Sequence, residues 1–126
     1  MNELASKISA SELAVMEALW ELGEPAPIAP IRSRLEQARG WDGSTVKTLL
    51  RRLCEKGAAV AEKRDVFYYS PALSREDFQN WSTQSLIQRV YGGSAQALVA
   101  SLVRADQLTP QDLEELRATL YPEDKP

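Results

Sequence analysis

The residues best placed for chemistry are Ser44, Thr45, Lys47, Thr48, Arg51 and Arg52, three hydroxyls and three cations within nine positions. A guanidinium is planar and matches a phosphate or a guanine edge with two parallel hydrogen bonds. An ammonium serves as a point charge for phosphate, and a short hydroxyl reaches either phosphate or a base. The chemistry this set offers is recognition of a polyanion. Little else in the chain offers catalysis. There is no histidine and a single cysteine, Cys54, so Ser-His-Asp and Cys-His arrangements lack their base. The same counts exclude an intrachain disulfide and, within one chain, a zinc or copper site built from Cys and His. No cofactor is expected. Glu114 and Glu115 read as the solvated face of a leucine-striped helix, and no glycine-rich phosphate loop is present. Cys54 reads as a small, partly buried residue, the usual role of a free cysteine.

The polar set belongs to a helix with both ends marked. Asp42 or Ser44 can cap its start by accepting from free backbone N–H groups, and Gly57 can end it in the left-handed conformation. Val46, Leu49, Leu50 and Leu53 follow i, i+3, i+4, i+7 and share the face opposite the cations. A charged outer face is common on any amphipathic helix, so its neighbours must decide what this one does.

Two helices are expected before it. Ser9 or Ser11 can cap the first, which runs to about Leu22 with Leu13, Met16, Leu19 and Trp20 as its stripe. Gly23 through Pro27 makes a turn. The second runs from about Ile28 to Ala38 with Ile28, Ile31 and Leu35 buried, and Pro30 falls in its first turn, where a missing N–H costs little. After Gly57 the pattern becomes extended. Residues 58–65 lead into the β-branched and aromatic run Val66-Phe67-Tyr68-Tyr69-Ser70, a hairpin with the charged tip Lys63-Arg64-Asp65. Three helices followed by a hairpin make a winged helix-turn-helix. Its third helix is the reader of a major groove, and its wing places Lys63 and Arg64 near phosphate or the minor groove.

Beyond the wing, Ser74 caps a fourth helix reaching Val90 or Tyr91, with Phe78, Trp81, Leu86 or Ile87, and Val90 apolar. Gly92-Gly93 breaks it. A fifth helix carries Leu98, Val99, Leu102 and Val103, and Pro110 opens a sixth with Leu113, Leu116 and Leu120. The tail from Tyr121 to Pro126 is expected to fray. The division expected is a DNA-binding domain over residues 1–73 and a helical dimerisation domain over 74–126. Three helices in about fifty residues bury too little surface to stand alone. Their leucines and valines either pack back on the same chain or meet a second copy. The second copy is preferred because two half-sites raise affinity together.

Charge follows this division. The whole chain is −3, yet residues 37–64 hold seven cations against three carboxylates, net +4, and residues 75–126 hold five against eight, net −3. The basic excess thus surrounds the third helix, as expected for a DNA-facing half. No apolar run is long enough to span a bilayer, and Met1-Asn2-Glu3-Leu4 lacks the basic start and apolar core of a secretory signal. A cytoplasmic location is expected.

The ordered series of motifs resembles the penicillinase-repressor family over about residues 8 to 120. It begins with Ile8-Ser9, Glu12, Val15-Met16, Trp20 and Trp41 and is densest from Thr45 to Gly57. It continues through Val66 to Pro71, Val90-Tyr91-Gly92-Gly93, Leu98-Val99, and Asp106 through Thr109 to Asp112, Glu115, Leu116 and Leu120. The resemblance implies a winged-helix repressor that dimerises through its C-terminal helices and binds a dyad-symmetric operator. The interface would be Val90, Tyr91, Leu98, Val99, Leu102, Leu113, Leu116 and Leu120. It also implies a membrane-bound sensor metalloprotease whose action leads to cleavage at an Asn-Phe pair. Here Ser101-Leu102 stands at that position, a departure from the motif. The cysteine-rich tail of the copper-responsive branch is lacking, and the wing tip is shorter than usual for the family. The competing expectation is a winged helix that binds a protein partner and no DNA.

Overall fold

A computed structural model of the chain describes residues 3–122, so residues 123–126 of the tail expected to fray lie outside the described residues. Contacts divide the chain into two compact units, Met1–Thr83 and Gln84–Pro126.

In the first unit a 3-10 turn, Ala5–Lys7, precedes α1, Ala10–Leu22. Ser9 begins α1. Its hydroxyl accepts from the Glu12 amide at 3.1 Å, and the Glu12 carboxylate accepts from the Ser9 amide at 2.9 Å. This reciprocal box satisfies two otherwise free N–H groups and decides between the two candidate caps, because Ser11 lies inside the helix. Helix α2, Ile28–Arg39, and α3, Gly43–Lys56, complete a three-helix set. Met16, Leu19, Ile31, Leu50, Leu53, Val15 and Val46 are fully buried between them, each aliphatic side chain contributing about 2 kcal/mol by leaving water. Ile28, expected in this core, is only half-buried. It is the first residue of α2 and lines an open notch beside α3 instead.

The hairpin pairs β1, Ala59–Lys63, with β2, Phe67–Pro71, antiparallel in the register Ala59↔Pro71 to Lys63↔Phe67. The tip is therefore Arg64-Asp65-Val66, closed by the Arg64 amide donating to the Val66 carbonyl at 2.9 Å. Lys63, read from sequence as a tip residue, ends β1, and Val66, read as the start of the second strand, is in the tip. On its other edge β2 meets Ala26, whose amide and carbonyl exchange hydrogen bonds with Tyr69 at 3.0 and 2.8 Å. Pro25 and Pro27 flank Ala26, and because Ala26 directs both its backbone groups at β2, these neighbours face the other way and leave the outer edge without N–H donors.

The Trp20 indole donates to the Leu73 carbonyl at 2.8 Å. Its ring lies 6.0 Å from Phe78, which lies 6.3 Å from Trp81. These contacts tie the start of α4, Arg75–Tyr91, into the first unit. The division by contacts consequently falls within α4, not at the 73/74 junction read from sequence.

In the second unit α4 ends at Gly92 and Gly93, with φ of 58° and 89°, a left-handed pair that glycine adopts without strain. Ser94 caps α5, Ala95–Arg104, by accepting from the Ala97 amide at 3.0 Å. Thr109 and Asp112 form a second reciprocal box, at 3.0 and 2.9 Å, before α6, Pro110–Leu120. Among the described residues from 84 to 122, none is buried. No helix among the described residues is long and apolar enough to cross a membrane.

Candidate nucleic-acid interface

Helix α3 starts at Asp42, whose carboxylate accepts from the Thr45 amide at 2.9 Å and from the Ser44 hydroxyl at 3.0 Å. The backbone bond to Thr45 leads the interactions that hold the Asp42 carboxyl below its usual range. Asp42 is thus the cap, and Ser44 lies one position inside the helix. The far end is closed by Gly57 at φ 85°, after which Ala58 donates back to the Leu53 carbonyl at 2.9 Å. Val46, Leu49, Leu50 and Leu53 bury the inner face. Ser44, Lys47 and Arg51 lie exposed on the outer face, with Thr48 half-buried between them, and Thr45 and Arg52, seven apart, form an exposed flanking row. Among the described residues no carboxylate lies within ion-pair distance of Lys47, Arg51 or Arg52. The six residues singled out from sequence therefore share one side of one helix.

A groove of about 630 Å³ runs between this helix and the hairpin, lined by Lys47, Thr48, Arg51 and Glu55 on one side and by Ala61, Phe67 and Tyr69 on the other. Cys54 also lines it and is half-buried. Burial first, and the neighbouring Glu55 charge second, push its thiol above the ordinary cysteine value. At neutral pH the group is the thiol and not the nucleophilic thiolate. Alkylation by iodoacetamide at pH 7 is expected to run slower at Cys54 than at free cysteine, and a rate equal to or above that of free cysteine would contradict this placement.

The two wing cations are engaged locally. Lys63 lies over the Phe67 ring at 4.8 Å and Arg64 over the Tyr68 ring at 4.5 Å, and Arg64 also pairs with Glu62 at 2.7 Å. These contacts hold two long side chains over rings of β2, Lys63 from the end of β1 and Arg64 from the tip. Lys56 leaves the basic count altogether. Its ammonium donates to the Glu12 carboxylate at 2.6 Å and to the Lys7 carbonyl at 2.8 Å. It is a structural cation, one turn beyond those that face out.

Arg32 was missed by sequence reasoning. It reaches from α2 to the first turn of α3 and lines a notch with Ile28, Asp42, Gly43, Ser44 and Lys47. The pattern of α2 gave only its apolar positions and carried no signal for where a polar side chain would lie.

The interface residues proposed for the second unit are mostly uncovered. Val90, Val99, Leu102, Leu113, Leu116 and Leu120 are exposed, the last by 70%, while Tyr91 and Leu98 are half-buried. Ser101 and Leu102 lie inside helical backbone on α5, and among the described residues no cluster of carboxylates and cysteine could hold a metal ion.

Three helices, a hairpin and the uncovered cationic face of α3 define a winged helix-turn-helix protein, mainly α with one small hairpin. The profile of the family described as penicillinase repressor matches residues 8–121. The penicillinase repressor of Bacillus licheniformis is 31% identical over 111 residues, covering 87% of this chain and 86% of that one. The methicillin resistance regulatory protein MecI of Mammaliicoccus sciuri is 30% identical over 122 residues, 95% and 98% of the two chains. The solution structure of the DNA-binding domain of the repressor BlaI superposes with a TM-score of 0.52 at 31% identity, over 61% of this chain and 93% of that one. A solution structure of monomeric Bacillus licheniformis BlaI in complex with the blaP half-operator gives 0.50 at 32% identity, over 56% and 87%. The chain belongs to the penicillinase repressor family, a family of transcriptional repressors and not of enzymes.

Proposed function

We propose that this chain is a cytoplasmic, homodimeric transcriptional repressor that occupies a dyad-symmetric operator, with one α3 in each of two major-groove half-sites. The observation that carries the reading is the outer face of α3, where Ser44, Thr45, Lys47, Thr48, Arg51 and Arg52 line up opposite a buried leucine face. The half-operator complex of the related BlaI supports DNA as the partner. Thr48 and Arg51 contact base edges, Lys47 and Arg52 contact phosphates, and Lys63 and Arg64 of the wing meet the adjacent backbone. The first unit binds DNA and the second dimerises, a reading supported by the uncovered apolar residues of α5 and α6. Repression follows from occupancy of the promoter.

Phosphate contacts release counterions, so affinity for duplex DNA is expected to fall steeply as salt rises. A protein-binding winged helix would show no salt-sensitive affinity for duplex DNA, and that result in a titration would overturn the proposal. Arg51→Ala is expected to cost roughly 1–3 kcal/mol of operator affinity and to relax specificity at one base pair. Equal gel-shift titrations of variant and wild type, on both operator and scrambled duplexes, would remove Arg51 from the base-reading set.

A further inference from the structure

Gly43 opens α3 without a positive φ, so its backbone conformation does not demand glycine. Space does. A Cβ at this position would collide with the guanidinium of Arg32, meeting Nη2, Cζ and Nε at once. The guanidinium lies over the first turn of α3, at the positive end of the helix dipole, where a cation is disfavoured. Among the described residues no carboxylate lies within ion-pair distance of it. The nearest candidate, Asp42 in the same notch, is committed to the Thr45 amide and the Ser44 hydroxyl. An exposed, permanent charge is therefore held beside Lys47 and Ser44 with its donors uncompensated. The Ser44 hydroxyl is spent on Asp42 and the Asp42 carboxylate on its cap bonds, which leaves the donors of Arg32 and Lys47 in this notch to complement an anion with several acceptor oxygens, the chemistry of a phosphodiester.

We propose that Arg32 is a further phosphate-binding residue of the DNA interface, and that Gly43 lacks a side chain to let its guanidinium rest beside the start of α3. In a helix-turn-helix the first helix of the pair crosses the sugar-phosphate backbone while the second enters the groove, which is the relation of α2 to α3 here. The inference rests on the DNA-binding reading and adds to it a contact from outside the recognition helix.

The test uses full-length protein and a mixed-sequence duplex of about 30 base pairs, with fluorescence anisotropy at several salt concentrations. Each phosphate contact contributes about 0.9 to the slope of log K against log salt for duplex DNA. Arg32→Ala is expected to lower that slope by about one and to weaken binding roughly five- to tenfold at low salt, while Arg32→Lys retains most of the slope. Gly43→Ala is expected to weaken binding similarly, because the flexible guanidinium moves aside at little cost. Its thermal midpoint stays unchanged or rises, since alanine favours the helix. Arg32→Ala placed on top of Gly43→Ala should then cause little further loss, the non-additivity of two changes acting on one contact. If Arg32→Ala keeps the wild-type slope while Arg52→Ala lowers it, the DNA-binding reading stands and the role of Arg32 is overturned. Fully additive losses in the double variant would overturn the role of Gly43. Absence of salt-dependent binding by the wild type would overturn the DNA-binding reading and the inference with it.

Discussion

Replacing Leu116 by glutamate is expected to yield a monomer and to weaken operator binding by about two to four orders of magnitude, the contribution of linking two binding modules through one dimer. Leu116 lies in the middle of α6 and is 47% exposed in the single chain, between Leu113 at 43% and Leu120 at 70%. A side chain half in water already loses little when it becomes polar, so the fold of one subunit should tolerate the change. A buried interface should not, because a carboxylate desolvated against leucines without a partner costs several kcal/mol. The difference between these environments is what size-exclusion chromatography with light scattering would read. A Leu116→Glu protein that still elutes as a dimer and binds operator as tightly as wild type would exclude α6 from the interface. A wild type that is monomeric at tens of micromolar would exclude the dimer itself. Arg51→Ala provides the contrast, since it should leave the mass unchanged and alter only recognition.

Lys56→Met is expected to destabilise the protein by about 3 kcal/mol at pH 7, the cost of leaving one partner of a buried ion pair uncompensated. Glu12 is 2% exposed and its side chain holds together the start of α1 and the end of α3, through Ser9 on one side and Lys56 on the other. Burial alone would push its carboxyl up. The Lys56 ammonium and the Ser9 amide and hydroxyl together outweigh burial, and the carboxyl is held below its usual range. The folded state thus binds this proton more weakly than the unfolded chain. The stability gained from the site is complete above the usual carboxylate range and is lost as pH falls through the lowered folded value. Removing Lys56 takes away the ammonium's share and leaves burial opposed only by the Ser9 bonds, so the folded variant holds the Glu12 proton more tightly than wild type does. The difference between Lys56→Met and wild type should accordingly shrink as pH falls towards about 4, where an unperturbed glutamate titrates. Urea denaturation at both pH values measures it. A loss below 1 kcal/mol at pH 7, or one that does not change with pH, would show that the pair does not hold these helices together.

The same residue shows where sequence reasoning stopped. Lys56 lies five residues after Arg51 on the same helix, and by count it belonged to the basic patch. Its direction was fixed only when α1 brought a buried carboxylate to the end of α3. The wing was legible as a hairpin but not in its register. The exchange between Ala26 and Tyr69, the pairing of Lys63 with Phe67 and the place of Val66 in the tip all depend on contacts between segments that no local pattern encodes. The start of α4 read as the start of a new domain, because its caps are local and its docking on Trp20 is not.

By itself the sequence determined the elements and the character of their faces. Caps and glycines act within a few residues of themselves: Ser9 or Ser11 before α1, Asp42 or Ser44 before α3, Gly57, Gly92-Gly93 and Thr109 with Pro110, with only the choice of Ser9 and Asp42 left to the structure. Helical spacing likewise sorts Val46, Leu49, Leu50 and Leu53 from Lys47, Thr48 and Arg51 without reference to any other element. What only the tertiary structure decided is which charges face outward and what stands beside them. Arg32 reaches the start of α3 and Lys56 turns inward because two helices distant in sequence are packed against a third, and a side chain's partner is set by that packing, not by its own neighbours in the chain.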